Sequence, residues 1–136
     1  MKKKIFALGL MLLCFYPAVY SAAVVDALPP FQGTPAYKQY QKRPKSELSK
    51  ILYLMDRFKA APLIVIYDRS EYESDVALKY AKSYVAKHYH REDAQKWIQE
   101  NAYRSLSGGV IYIKFPDGER KLLRDVLIEE LQKIPA

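Results

Sequence analysis

Two short apolar runs, Leu63–Tyr67 (LIVIY) and Val110–Phe115 (VIYIKF), limit what this chain can build. The first is rich in β-branched residues and too brief for a stable helix, so it reads as a buried strand. The second alternates Val110, Tyr112 and Lys114 against Ile111, Ile113 and Phe115, the pattern of a half-buried strand with one more apolar face. With so few strands, the core must come from helices laid on a small sheet, which is an α+β domain.

The helices follow from spacing and caps. Ser46 suits an N-cap with Glu47 in the first turn, and Leu48, Ile51, Leu52, Met55 and Phe58 make one stripe that ends before Pro62. Asp68, Arg69 and Ser70 read as a turn, with Glu71–Glu73 returning as a short second strand. Ser74 is expected to cap a second helix, its apolar face made by Val76, Ala77, Tyr80, Ala81, Tyr84, Val85 and His88. Lys79, Lys82 and Lys87 take the opposite side. A third helix is expected from about Glu92 to Arg104, burying Ala94, Trp97, Ile98 and Ala102 and stopped by Gly108 and Gly109. Pro116–Glu119 (PDGE) is a turn, and a last helix buries Leu122, Leu123, Val126, Leu127, Leu131 and Ile134. The expected order is α-β-(β)-α-α-β-α, about four helices on two or three strands, with residues 46–136 as the domain. A unit of this size hides roughly 60–65% of its unfolded surface, enough for one modest core.

Residues 1–23 read as a secretory signal. Lys2–Lys4 precede an apolar stretch from Ile5 to Tyr16, Pro17 breaks it, and Ser21 and Ala23 suit cleavage before Val24. Val19 and Ser21 suit cleavage before Ala22 nearly as well. The apolar stretch falls short of the roughly 20 residues that cross a bilayer. Cys14 follows Leu13 rather than a small residue, which argues against lipidation. It is also the chain's one cysteine, so the exported part can have no disulfide frame, cysteine nucleophile or thiolate metal site. Residues 24–45 hold four of the eight prolines and read as a basic tether or loosely docked arm, with Phe31, Tyr37 and Tyr40 available to pin it.

The net charge of +7 does not point to nucleic acid. Residues 46–136 carry 15 basic and 14 acidic residues, a balance of +1, whereas a nucleic-acid-binding domain shows its excess on the folded part. Lys38, Lys42, Arg43 and Lys45 concentrate the rest in the tether, where at most peripheral contact with an anionic membrane or wall surface is expected. No cofactor is implied, and a monomer is expected.

The glycines at 108 and 109 follow a helix and precede a strand, the reverse of a phosphate loop, and no nucleophile elbow fits Ser105 or Ser107. The simplest reading is a glycine helix stop with serines bonding loose carbonyls. His88 and His90 have spacing that converges poorly on a metal. Glu71, Glu73 and Asp75 alternate, so a strand would gather them on one face as a carboxylate hydrolase needs; acids before a helix N-terminus are the plainer account. Tyr80 and Tyr84 read as core residues, with an aromatic binding groove as the alternative.

Tyr72 after the turn, Trp97 and Ile98 in the third helix, then Ala102, Arg104, Ser105, Gly109 and Tyr112 together resemble the YfeK-like family of small exported bacterial proteins, a domain of unknown function, over about Ser46 to Ile134. The chain departs from that pattern at Leu106, where family members usually have serine, and at Val110 and Ile111, where they have Lys-Pro. It also has Lys79, Tyr80 and Ala81 where the family often carries His-Leu-Arg. The resemblance implies a periplasmic or secreted protein and brings no known activity. The residues expected to bind a ligand or envelope partner are Arg69, Tyr72, Arg104, Ser105, Ser107 and Gly109. The expected function is a non-enzymatic binding or accessory domain.

Overall fold

A computed structural model describes residue 28 and residues 30–135. The expected signal peptide, with Cys14 and the cleavage position near Ala23, lies outside the described residues. The described chain forms α1 (Pro35–Lys42), α2 (Glu47–Lys59), β1 (Ile64–Tyr67), β2 (Ser70–Glu73), α3 (Ser74–His88), α4 (Ala94–Asn101), β3 (Tyr112–Lys114), β4 (Arg120–Leu122) and α5 (Leu123–Gln132). The fold is α+β, with an antiparallel sheet in the order β2-β1-β3-β4.

Two elements are additional to those expected. The stretch read as a tether holds α1, because Thr34 accepts the Tyr37 N–H at 3.3 Å and Pro35 sits at the first helical position, where its missing N–H costs nothing. Tyr37 then packs edge-on to Tyr53 of α2 at 6.1 Å, Tyr40 meets the same ring at a tilt at 5.2 Å, and Phe31 packs edge-on to Tyr37 at 4.9 Å. The other addition is β4. Its Arg-Lys-Leu sequence gives no apolar alternation, and its pairing with β3 through the turn at Pro116–Gly118 defines it.

Helix α2 is the centre of the molecule. Ser46 caps it by accepting the Ser49 N–H at 3.1 Å. Ile51, Met55 and Phe58 of the expected stripe are buried, but so are Tyr53, Leu54 and Arg57, because α1, α3, α4 and α5 all contact this helix. Each fully buried apolar side chain of this kind contributes about 1.5–3 kcal/mol. Leu48 is exposed, at the end of the stripe that nothing covers. Arg57 and Glu130 form a buried ion pair at 3.3 Å between α2 and α5, and Lys133 meets the other Glu130 oxygen at 2.9 Å.

The expected apolar face of α3 is corrected. Leu78 and Val85, seven residues apart, are its buried apolar residues, whereas Val76 and Tyr80 are exposed. Alanine and tyrosine spacing suggests a stripe about one position off, since tyrosines tolerate a wet rim and leucine does not. Ser74 is also no cap: Glu73 holds that position, and the buried Ser74 hydroxyl donates to the Ala61 carbonyl at 2.9 Å.

The two faces of the sheet differ. Leu63, Ile111 and Ile113 point toward the helices, where Leu63 and Ile113 cluster with Phe58 and Val126. The register puts Glu71, Ile66, Tyr112 and Leu122 in one cross-strand row of the other face, and Glu73, Ile64, Lys114 and Arg120 in the next. Glu71, Glu73, Tyr112 and Arg120 of that face are exposed to solvent.

Candidate functional site

The site begins with the turn joining β1 to β2. Tyr67 pairs with Ser70, leaving a two-residue loop in which Asp68 and Arg69 have φ of 50° and 67°. Two successive left-handed residues match the twist of a hairpin in the type I′ manner. Aspartate tolerates this region; arginine does so rarely, so other contacts must hold the turn.

Those contacts come from the segment after α4. This helix ends at Asn101 with Ala102 as its C-cap, so Gly108 and Gly109 do not stop it. Instead residues 103–111 fold back on themselves. Ile111 N–H donates to the Tyr103 carbonyl at 3.0 Å, Arg104 bridges Val110, and Ser105 N–H donates to the Gly109 carbonyl at 2.7 Å. Gly108, at φ +91°, closes the tip by donating to the Ser105 carbonyl at 3.0 Å.

The serines also do something other than satisfy loose carbonyls. Both the Ser105 and Ser107 hydroxyls donate to Oδ1 of Asp68. Ser105 Oγ in turn accepts the Gly109 N–H at 3.1 Å, and the Tyr67 hydroxyl accepts the Leu106 N–H at 3.1 Å. A clasp results, tying the loop to the β1–β2 turn. Each hydroxyl has one proton, so with both directed at Asp68 the 3.0 Å approach of the two serine oxygens is crowding on a shared acceptor. The donation by Ser105, then by Ser107, holds the Asp68 carboxyl below its ordinary value. A side chain at Gly109 would put its Cβ 3.2 Å from Asp68 Oδ1, so the clasp would have to shift to admit one. Arg104 braces the loop by donating to the Gly108 carbonyl at 2.9 Å, and its guanidinium lies 5.0 Å from the Tyr103 ring centre. Arg124 lies 4.1 Å from the same ring.

Beside the clasp, the open face of the sheet holds a cavity of about 690 Å³. Ile66, Val110 and Tyr112 give it apolar lining, Asp68, Ser107 and Gly109 give it one wall, and Arg69, Glu71 and Arg120 complete it. Glu71 receives Lys114 at 2.8 Å, and this bond and charge hold its carboxyl below the ordinary value, with Arg120 adding to the effect. Among the described residues the guanidiniums of Arg69 and Arg120 make no hydrogen bond or close ion pair, although Arg120 acts on Glu71 through its charge. A second cavity, about 640 Å³, lies between α1 and α2.

Of the residues expected to bind, Arg69, Ser107 and Gly109 line the first cavity, and Ser105 and Arg104 hold its wall. Tyr72 is not brought to them. It shares the helix-side face with Val65 and Ile113, and its ring packs edge-on to Tyr80 at 6.4 Å. Glu71 and Glu73 do share one face, but Asp75 turns into α3 and accepts its neighbour's Val76 N–H at 2.8 Å. His88 lies against Tyr84 at 4.3 Å, and no group of three metal-ligating side chains occurs among the described residues. In the basic stretch, Arg43 pairs with Asp56 at 2.9 Å and Lys42 ends α1, while Lys38 and Lys45 are exposed. Arg120, Ile66 and Val110 are not among the expected site residues. The missing signal is β4, since its pairing with β3 is what carries Arg120 to the cavity.

No described helix is long and apolar enough to cross a membrane. No family model, curated protein or solved structure matches the chain.

Proposed function

We propose that this chain is an exported, cell-envelope binding or accessory domain, periplasmic or secreted after cleavage near Ala23, which engages its partner through the open face of the sheet. The observation that carries this reading is the clasp. Several hydrogen bonds fix a loop beside a cavity whose two guanidiniums make no hydrogen bond among the described residues. A surface held in one conformation before binding loses less entropy on binding, so such rigidity favours recognition. The sequence pattern at Arg104, Ser105, Gly109 and Tyr112, which resembles the YfeK-like family, falls on this loop and the adjoining strand. All four residues brace the clasp or line the cavity beside it.

A hydrolase built on Glu71, Glu73 or Asp75 finds less support. A general acid needs a carboxyl raised toward neutrality, and Glu71 is shifted the other way by Lys114. Attachment to lipid or wall through Lys38, Lys42, Arg43 and Lys45 is weakened by the commitment of Arg43 to Asp56.

Chemical crosslinking in intact cells, followed by capture of the full chain from the envelope, tests the reading. A discrete adduct is expected, and it should fade in the Arg69→Ala/Arg120→Ala double variant while amide spectra show the fold intact. No adduct, or one indifferent to the double substitution, removes the open face as the binding surface.

A further inference from the structure

The open-face cavity has a polarity that names a ligand class, on the condition that this face is the binding surface proposed above. Both carboxylates in its lining already accept hydrogen bonds, Asp68 from two serines and Glu71 from Lys114. Its two guanidiniums, each with five N–H donors, have no acceptor among the described residues. The lining is balanced in charge, two carboxylates against two arginines, and its largest unused hydrogen-bonding capacity is the N–H donors of the two guanidiniums. Between the arginines lie Ile66, Val110 and Tyr112, which offer apolar surface and one aromatic ring.

Position adds a ruler. Arg69 sits in the turn beyond the end of β1, whereas Arg120 lies two ladders away and level with Ile64. Strand spacing and rise put their backbones roughly 17 Å apart along a diagonal of the sheet, a span that two long arginine side chains can shorten. In an extended peptide, residues i, i+2 and i+4 point to one side, and the outer two are about 13 Å apart. We infer that the cavity takes an extended acidic peptide segment of the form acid–x–apolar–x–acid. Its outer carboxylates meet Arg69 and Arg120, and its central side chain rests on Ile66 and Tyr112. The bidentate fit of guanidinium to carboxylate gives the ends their specificity, and the apolar middle fixes the register.

The probe is acetyl-Glu-Val-Leu-Val-Glu-amide, titrated into the isotope-labelled full chain and followed by amide shifts. Saturable shifts are expected at Ile66, Arg69, Gly109 and Tyr112. Arg69→Ala and Arg120→Ala should each weaken binding about three- to fivefold, as exposed ion pairs do, and the double variant about tenfold or more. The amide spectra of the variants report whether they fold. Replacing both probe glutamates by lysine should abolish the shifts, and replacing the leucine by serine should weaken them. Equal binding of the lysine probe, or no shift at the four residues, overturns the inference. So do matching shifts from suberate, which assign the site to small dicarboxylates. Shifts that grow with protein concentration alone assign the face to a second copy and overturn it too. An adduct captured in cells despite a silent peptide would reject this ligand class and leave the open face as the binding surface.

Discussion

The two faces of the sheet share the same four strands and differ in what their side chains meet. On the helix side, Leu63 and Ile113 join Phe58, Ala61 and Val126 in a buried apolar cluster. On the open side, Ile66 and Tyr112 sit among Glu71, Lys114 and Arg120, and the nearest neighbour is a loop held by hydrogen bonds. One face is kept by packing and the other by polar geometry. The first should carry the stability of the fold, and the second should carry little of it while fixing the position of the site.

Adjacent residues of β3 give the sharpest break between the faces. Ile113, with no exposed surface, points to the helices, and Tyr112 points to the open side. Ile113→Ala should cost about 2–5 kcal/mol in urea unfolding, as large-to-small changes in a packed core do. Tyr112→Ala should stay within about 1 kcal/mol, as surface changes usually do. Similar losses at both positions would mean that the open face belongs to the core.

The clasp comes next in size. Ser105 is buried, donates to Asp68 and accepts from Gly109. Ser105→Ala removes a donor from Asp68 and the acceptor of the Gly109 N–H and should cost about 1–2 kcal/mol, with faster hydrogen exchange at Gly109 and Leu106. Exchange unchanged at those two amides would show that the clasp does not hold the loop.

Acid should open the clasp as well. Asp68 is depressed in the folded protein by its serine donors, so its bonds stabilise the fold above the ordinary aspartate value. That contribution is lost as pH falls through the lower, folded value. Carboxyl shifts followed through an acid titration should show Asp68 titrating below an ordinary aspartate, and Ser105→Ala should move it back up. An ordinary value in the native protein would contradict the hydrogen bonding described. The smallest effect is expected for Lys114→Ala, which removes the exposed partner of Glu71. The urea midpoint should not move, because such pairs sit in high dielectric.

Elements governed by local chemistry are legible from the amino acids alone. Ser46 marks the start of α2, the run at Ile64–Tyr67 marks β1, and the alternation after Gly109 correctly separates the buried Ile111 and Ile113 from Tyr112. What stays hidden depends on partners distant in sequence. Helix α1 is held by Tyr53, and β4 exists only by pairing with β3. The rotation of α3 is set by what Leu78 and Val85 pack against. The site follows the same division. Asp68 is visible as a turn residue and Ser105 as a polar residue beside glycines, but their union spans 37 positions, and no spacing rule reports that.

The central claim, that the open face is where this protein meets its partner, is tested most directly by comparing the faces in living cells. A photoreactive phenylalanine replaces Tyr112 on the open face in one full-length variant. In another it replaces Tyr80, which is 70% exposed on α3, the helix that packs on the covered side. Irradiation should give a discrete adduct from position 112 and none from position 80. Adducts from position 80 alone, or equal yields from both, would contradict the account.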